Sequence, residues 1–241
     1  MHLLRFIVLG VAVLSTSGLD LPSFIKRCKW GDQKCVLESA NDALPHLIQG
    51  DKKYKIPPLN PLLVQKIEVE QGGLKIKMEN VKHYFTDNSN FTSFTFDVDQ
   101  KKYAYTLETP LCRILGDYEI SGKILVLPIS GKGKANITIE NLVLGFTADI
   151  ASEKKADGKD YIKLVNGKLE ATSLSRAYFD FTNLFNGDKT LSDSTVKFLN
   201  ENWVDVFKEV SPPFLEGLAA QELRIINNVA EGVPLDKLFL E

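Results

Sequence analysis

Residues 135–150 read ANITIENLVLGFTADI, a stretch in which apolar and polar side chains alternate. This alternation predicts a β-strand that buries one face and exposes the other to water. The apolar positions change parity at Glu140 and Asn141, and we expect a β-bulge there that keeps both apolar sets on the inner face. A long strand bent by a bulge predicts a strongly curved antiparallel sheet.

The same two-residue period extends over residues 64–182. It is clearest in four segments, residues 74–78, 94–98, 103–107 and 118–126. Residues 130–133 and 156–160 are rich in glycine and polar side chains, and we expect both to be hairpin tips. This part of the chain therefore predicts a large antiparallel sheet whose strands are joined by short turns.

Helical periodicity precedes the strands. Asp32 is a suitable N-cap for a helix that continues to about Gln49 and ends at Gly50. Pro45 is expected to kink or split this helix because a proline lacks the backbone N–H. The proline-rich residues 56–61 follow and predict an extended connector, so the N-terminal helix is short.

Helical periodicity also returns after Gly187, with an apolar repeat of about 3.6 residues. Ser192 is the expected N-cap, and the double proline at 212–213 is expected to bend or interrupt the helix. The apolar stripe consists of Val196, Leu199, Trp203, Val206, Phe207 and Val210. Phe198 and Val204 lie outside that stripe, so we expect a long C-terminal helix that is wrapped by the sheet and buried on several sides.

The 241 residues divide into two predicted parts. Residues 1–18 are predicted to be a secretory signal peptide, because a basic start, an apolar run at 6–14 and a small-residue site near Gly18 follow one another. As a helix the apolar run is about 14 Å long, too short for a bilayer core of about 30 Å. A buried N-terminal helix is the alternative. Residues 19–241 are predicted to be one α+β domain of a secreted, extracellular protein.

Secretion makes oxidation of the cysteines possible. Cys28 and Cys35 are separated by a short turn, and we predict that they form a disulfide. Cys112 is left over, and it is either a buried inert thiol or a bridge to another chain. Asn90 and Asn136 each begin an N-x-T sequon, so both are predicted glycosylation sites.

Composition and motifs disfavour several functional classes. Twenty-nine basic and 31 acidic residues leave a net charge of −2, which argues against nucleic acid as a partner. The sequence has three histidines and contains no G-x-S-x-G, H-E-x-x-H, C-x-x-C or P-loop motif. We therefore predict no enzyme activity, no metal site and no cofactor. Beyond the signal peptide, we also predict no stable insertion into membranes.

Inward-facing aromatic side chains suggest a ligand cavity. Strand parity and the helical stripe predict nine lining residues, Phe94, Phe96, Tyr105, Phe146, Phe179, Phe181, Leu199, Trp203 and Phe207. A sheet curled around a helix can enclose more apolar wall than it fills, whereas solid core is the alternative for each of these residues. The Tyr105 hydroxyl is a candidate donor to an epoxide, ester or carboxylate, because a buried tyrosine needs a hydrogen-bond partner.

Four features resemble the insect takeout and juvenile hormone-binding protein family. They are the Cys28 and Cys35 pair, IPPLNPL at 56–62, LPISGKGKANITIENL at 127–142 and FLNENWVDVFKEVSPP at 198–213. The resemblance covers the whole mature chain and implies an α/β-wrap of the tubular lipid-binding type, with a tunnel for a lipophilic ligand. It also implies secretion into haemolymph or sensillar fluid. Hormone carriers of the family usually have a second disulfide, so with only Cys112 to spare the chain resembles the takeout branch more closely.

These observations favour a monomeric, non-enzymatic carrier of a hydrophobic small molecule such as a terpenoid hormone, a fatty acid or a similar long-chain lipid. The resemblance links such a carrier to circadian, feeding or chemosensory physiology. One alternative is an extracellular signalling or interaction protein with an unknown receptor, for which the ligand is incidental. Another is a lipid-modifying enzyme such as an esterase, which the scarcity of histidines and the missing nucleophile motif disfavour.

Overall fold

The computed structural model describes residues 18–86 and 88–240, so the predicted signal peptide lies outside it except for Gly18. The helices are α1 (Gln33–Gln49), α2 (Lys189–Glu201) and α3 (Trp203–Ala230). The strands are β1 (Cys28–Lys29), β2 (Leu62–Gln71), β3 (Leu74–Phe85), β4 (Asn90–Asp97), β5 (Lys102–Ile124), β6 (Leu127–Lys154), β7 (Asp160–Ser173), β8 (Arg176–Phe181) and β9 (Phe239–Leu240). Single 3-10 turns at Phe185–Gly187 and Leu235–Lys237 precede α2 and β9.

Strands β2 to β8 form one antiparallel sheet, in which β2, β3, β5, β6 and β7 are neighbours in that order. β5 has 23 residues and β6 has 28, which would span about 75 and 90 Å if straight. Each of them changes partner along its length. β5 pairs first with β4 and then with β3, and β6 pairs first with β8 and then with β7. The sheet thus has a β4 half, which also contains β7, and a β3 half, which also contains β2 and β8.

The parity change predicted in the long strand lies where these partners change. Ile139 and Leu142 are both buried, and Asn141 between them has φ +50°. The expected bulge against β5 is wrong, because the pairing of β5 and β6 keeps its register from Leu111 opposite Glu140 to Thr109 opposite Leu142. A left-handed residue turns the strand instead, and asparagine adopts that backbone conformation more readily than most residues.

The glycines at 130–133 do not form a hairpin tip, so that prediction is wrong. They lie inside β6, and the turn between β5 and β6 is at Leu125, which has φ +54°. A Cβ atom at Gly133 would be 2.3 Å from the carbonyl oxygen of Thr182. Glycine is therefore needed for the close approach of a neighbouring chain segment and not for a turn. The second expected tip, at 156–160, is confirmed by the N–H of Gly158, which donates to the carbonyl of Lys155.

Helix α1 begins as predicted, since the Asp32 carboxylate accepts a hydrogen bond of 3.0 Å from the N–H of Cys35. Pro45 does not split it, because α1 continues to Gln49. The helix is held against β4 by Asn41, whose side chain donates to the carbonyl of Phe91 at 2.9 Å and accepts from its N–H at 2.8 Å. These two hydrogen bonds fix α1 on the sheet without involving Pro45.

The C-terminal helical region begins at a different N-cap from the predicted one, and it is not interrupted at the double proline. Asp188 and not Ser192 is the N-cap, because its carboxylate accepts from the N–H of Leu191 at 3.0 Å. The interruption occurs at Asn202, between α2 and α3, and α3 continues through the double proline at 212–213. Asn202 donates from its side chain to the carbonyl of Phe198 at 2.9 Å, which completes the end of α2.

The long helix α3 packs on the concave side of the sheet, as the fold class predicted. Val206 and Ala219 of α3 and Leu199 of α2 are buried in the same apolar cluster as Phe146 and Met78 of the sheet. Val204 is 41% exposed, so the expectation that it would be buried is wrong. The helix is therefore covered along one broad face, and the sheet leaves its outer face open.

Candidate ligand-binding site

A cavity of about 330 Å³ lies between α1, the C-terminal part of α3 and the β4 half of the sheet. Its volume is near the lower end of the roughly 300–1,000 Å³ typical of small-molecule sites. One face of α1 lines it with Val36, Ala40, Leu44, Leu47 and Ile48. These positions recur every three or four residues, which is the spacing of a single helical face.

The sheet side of the cavity is rich in aromatic side chains. Its rings are Phe85 of β3, Phe91, Phe94 and Phe96 of β4, and Tyr103 and Tyr105 of β5. Simple alternation would place Phe91 on the opposite face, but the register between β4 and β5 shifts between Phe91 and Ser93 and returns it to the cavity. The Tyr105 ring lies 5.1 Å from that of Phe91 and 5.9 Å from that of Phe94. The rings support one another and form a continuous apolar wall.

One acidic side chain contacts this wall from the helix side of the cavity. Glu222 of α3 lines the cavity, and its Oε2 accepts a hydrogen bond of 2.5 Å from the Tyr105 hydroxyl. Burial raises the pKa of Glu222 to about 7, although the hydrogen bond from Tyr105 partly offsets this effect. Burial, together with the Glu222 carboxyl group, also raises the pKa of Tyr103 and Tyr105, so both phenols are neutral. The cavity thus has one group that titrates near neutral pH.

The predicted lining residues are distributed over different sites. Phe94, Phe96 and Tyr105 line the 330 Å³ cavity, and Phe146 stacks on the Tyr105 ring at 5.3 Å, behind the wall. The other five predicted lining residues lie away from this cavity. Phe179, Phe181 and Leu199 line a separate cavity of about 30 Å³ in the β3 half, enough for one or two water molecules. Trp203 and Phe207 line neither cavity and pack against the core.

Sequence reasoning predicted neither Glu222 nor any residue of α1 as part of the cavity lining. A signal for Glu222 exists, because this acid falls within an apolar helical stripe formed by Leu218, Ile225, Ile226 and Val229. A single charged residue on the buried face of a helix is costly unless it has a partner, and such residues often mark functional sites. Tyr105 was predicted to be a free donor to the ligand, whereas its hydroxyl donates to Glu222.

Cys112 is a free, buried thiol, as one of the two sequence-based alternatives proposed. Its Sγ lies 2.9 Å from Nε2 of His83 on the neighbouring strand, a pairing that sequence separation did not suggest. Burial lowers the pKa of His83 to about 4 and raises the pKa of Cys112 to about 12. Both groups are therefore neutral at physiological pH, and the reactive thiolate is not populated.

The predicted disulfide between Cys28 and Cys35 is present. It connects β1 to the first turn of α1, and β1 pairs in parallel with β9 so that Cys28 lies beside Phe239. Cys28 and Phe239 both line the cavity. The disulfide therefore ties β1 to α1 at the cavity wall, and the pairing of β1 with β9 adds the C-terminal strand to the same place.

The two sequons lie in different surroundings. Asn90 is exposed at the beginning of β4. Asn136 lies within β6 between Leu115 of β5 and Asp180 of β8, and its Oδ1 is buried without a hydrogen-bond partner. The two asparagines therefore differ in their surroundings, and glycosylation of each stays a prediction.

Two negative findings concern residues 18–86 and 88–240. No group of three or more His, Cys, Asp or Glu side chains is placed to hold a metal ion. No helix in these ranges is both long and apolar enough to cross a membrane.

Comparison with known proteins identifies the family. The family model described as "Haemolymph juvenile hormone binding protein (JHBP)" matches residues 6–240. The chain belongs to the JHBP family. Its relatives include the circadian clock-controlled protein daywake of Drosophila melanogaster, which is 30% identical over 229 residues that cover 90% of this chain and 88% of that protein. Daywake of Drosophila yakuba is 27% identical over the same coverage.

A solved structure supports the same assignment. The crystal structure of Takeout 1 from Epiphyas postvittana matches this JHBP-family chain with a TM-score of 0.83 at 25% sequence identity. The match covers 90% of this chain and 100% of the other. The predicted takeout and juvenile hormone-binding resemblance and the predicted α/β-wrap are therefore confirmed.

Proposed function

We propose that this protein is a secreted extracellular carrier that binds one hydrophobic small molecule, such as a terpenoid, a fatty acid or a similar long-chain lipid, in the 330 Å³ cavity. The cavity itself is the main support for the proposal, because its wall is apolar except for a few polar groups. A ligand that buries about 350 Å² of apolar surface gains about 9 kcal/mol at about 25 cal/mol per Å². After the costs of association, affinities between micromolar and nanomolar are reasonable.

The thiol and the imidazole that could act together in nucleophilic catalysis do not line this cavity. Cys112 and His83 lie close together, but neither lines the cavity. Their pKa shifts leave both neutral, which is unsuitable for nucleophilic catalysis at physiological pH. These facts support a binding function over an esterase function.

Secretion is part of the proposal. The signal-like residues 1–18 and the disulfide between Cys28 and Cys35 support it, because disulfides persist in oxidising compartments. Haemolymph is the destination that the family description suggests. The name of the daywake relatives places them under circadian control, so a role in circadian, feeding or chemosensory physiology is the corresponding proposal here. The carrier is proposed to act as a monomer.

A blocking variant tests the proposal. Ala40 of α1 faces the cavity, so Ala40→Trp should place an indole inside it. Asp42 is an exposed residue of the same helix, and Asp42→Trp is the matched control. Titration with the fluorescent lipophile N-phenylnaphthylamine should show saturable binding to wild type and to Asp42→Trp. Ala40→Trp should bind at least about tenfold more weakly. Equal binding by all three proteins would place the lipophile elsewhere and contradict the proposal.

A further inference from the structure

The carboxyl group of Glu222 in the cavity wall has one oxygen without a hydrogen-bond partner among the described residues. Oε2 of Glu222 accepts from Tyr105, whereas Oε1 makes no hydrogen bond to any residue in the described part of the chain. Oε1 is not fully buried, although it lacks a hydrogen-bond partner among these residues. The side chain of Glu222 lines the cavity, so its free oxygen is accessible from the cavity interior. A ligand can therefore complete the hydrogen bonding of this carboxyl group.

We propose that Glu222, held by Tyr105, determines which polar end-group the cavity accepts: it favours a lipophile that ends in a hydroxyl group and rejects one that ends in a carboxylate. The proposal rests on the proposed carrier function and adds a specificity-determining residue to it. A hydroxyl group can donate to a carboxylate and can also accept from a protonated carboxyl group. A carboxylate can only accept, so it has no favourable partner in an ionised Glu222.

The charges around Glu222 support this discrimination. Its ionisable neighbours from β5 are Tyr103 and Tyr105, which are neutral because their pKa values are raised. Lys26 is the other ionisable residue of the cavity wall, since Cys28 is held in the disulfide, and Lys26 is exposed. The described residues of α1, β4 and β7 contribute no charged side chain to the wall. No cation therefore lies beside Glu222 to balance a second negative charge, and two like charges in such an interior repel strongly.

The protonation state of Glu222 makes the discrimination pH-dependent. Tyr105 occupies Oε2, so in the neutral acid the proton is available at Oε1 for donation to a ligand. With the pKa of Glu222 at about 7, the neutral acid predominates at pH 6 and the carboxylate at pH 8.5. If only the neutral acid accepts a carboxylate ligand, the affinity for that ligand falls up to about 30-fold between these pH values. A hydroxyl-terminated ligand binds to both states.

Dodecanol and dodecanoate are a suitable pair of probes because they share one chain and differ in the end-group. Isothermal titration calorimetry at pH 6 and pH 8.5 should be made on wild type, Glu222→Gln and Glu216→Gln, below the aggregation threshold of dodecanoate. Glu216 is an exposed acid on the same helix, so Glu216→Gln controls for the change in net charge. Glutamine at 222 keeps the shape of the side chain and can donate to a carboxylate.

For wild type and Glu216→Gln we expect dodecanol to bind at least about tenfold more tightly than dodecanoate at pH 8.5, with the difference closing at pH 6. Glu222→Gln should bind dodecanoate at least about tenfold more tightly than wild type at pH 8.5, without the pH dependence. Equal affinities of wild type for both probes at pH 8.5 would overturn the inference and leave the carrier function intact. Failure of both probes to bind at either pH would overturn both. If the Glu222 variant does not fold, the affinities of wild type for the two probes at pH 6 and pH 8.5 still test the inference.

Discussion

Replacing Glu222 by glutamine should stabilise the ligand-free protein at pH 8 and leave its stability at pH 4 nearly unchanged. Burial raises the pKa of Glu222 from its ordinary value of 4.5 to about 7 in the folded protein. In the unfolded chain the carboxyl group ionises at its ordinary value. Between these two values the unfolded state releases a proton that the folded state retains, so the wild-type protein loses stability as the pH rises through this window.

The size of the effect follows from the pKa difference. At about 1.4 kcal/mol for each pKa unit, a rise from 4.5 to about 7 corresponds to about 3 kcal/mol. The full amount is lost by about pH 7, and no more is lost above it. Glu222→Gln removes the titration and keeps an oxygen that accepts from Tyr105, so the variant should avoid the loss.

Urea unfolding followed by circular dichroism, with the disulfide intact, measures this difference. Wild type, Glu222→Gln and Glu216→Gln should be compared at pH 4, 6 and 8. The gain in unfolding free energy of Glu222→Gln over wild type should grow from near zero at pH 4 to about 3 kcal/mol at pH 8. Glu216→Gln, an exposed site, should follow the wild type. A Glu222→Gln effect that is the same at every pH, or that destabilises the protein at pH 8, would contradict a raised pKa of Glu222 in the folded protein.

Three further predictions concern the rest of the fold. His83→Leu should remove a loss of stability on acidification from pH 6.5 to 4, because burial lowers the pKa of His83 to about 4 and the unfolded chain takes up its proton first; urea midpoints at pH 4.5 and 7 measure this. Gly133→Ala should lower the melting temperature by several degrees in thermal circular dichroism, since the added methyl group would lie 2.3 Å from the Thr182 carbonyl oxygen. Cys112 should react with a thiol reagent only after unfolding in urea, and labelling of Cys28 in the native protein would contradict its pairing.

The sheet and the helix that it wraps were predictable because their signals are local. Alternation in residues 135–150 correctly predicts the buried face of β6 on both sides of the parity change. Asp32 correctly predicts where α1 begins. The segment at 130–133 was misinterpreted because glycine has two uses. It permits turns, but it also permits close packing of backbones, and only the approach of Thr182 shows which use applies.

The site was less predictable because it depends on contacts between distant residues. Tyr105 and Glu222 are 117 positions apart, and the hydrogen bond between them depends on how α3 lies across β5. Trp203 and Phe207 belong to the predicted apolar stripe, but that stripe packs on the β3 half of the sheet, where the cavity is small. Periodicity identifies which face of a helix is buried. It does not indicate whether the opposite wall fills the space.

Native mass spectrometry of the protein purified from the medium of secreting eukaryotic cells tests the carrier function most directly. We expect one co-purifying lipid per chain in wild type and in Asp42→Trp, and loss of that lipid in Ala40→Trp, whose indole would occupy the cavity. Wild-type protein without a lipid, which also fails to take up dodecanol when it is offered, would contradict the carrier function. So would an equal amount of lipid in the blocked variant.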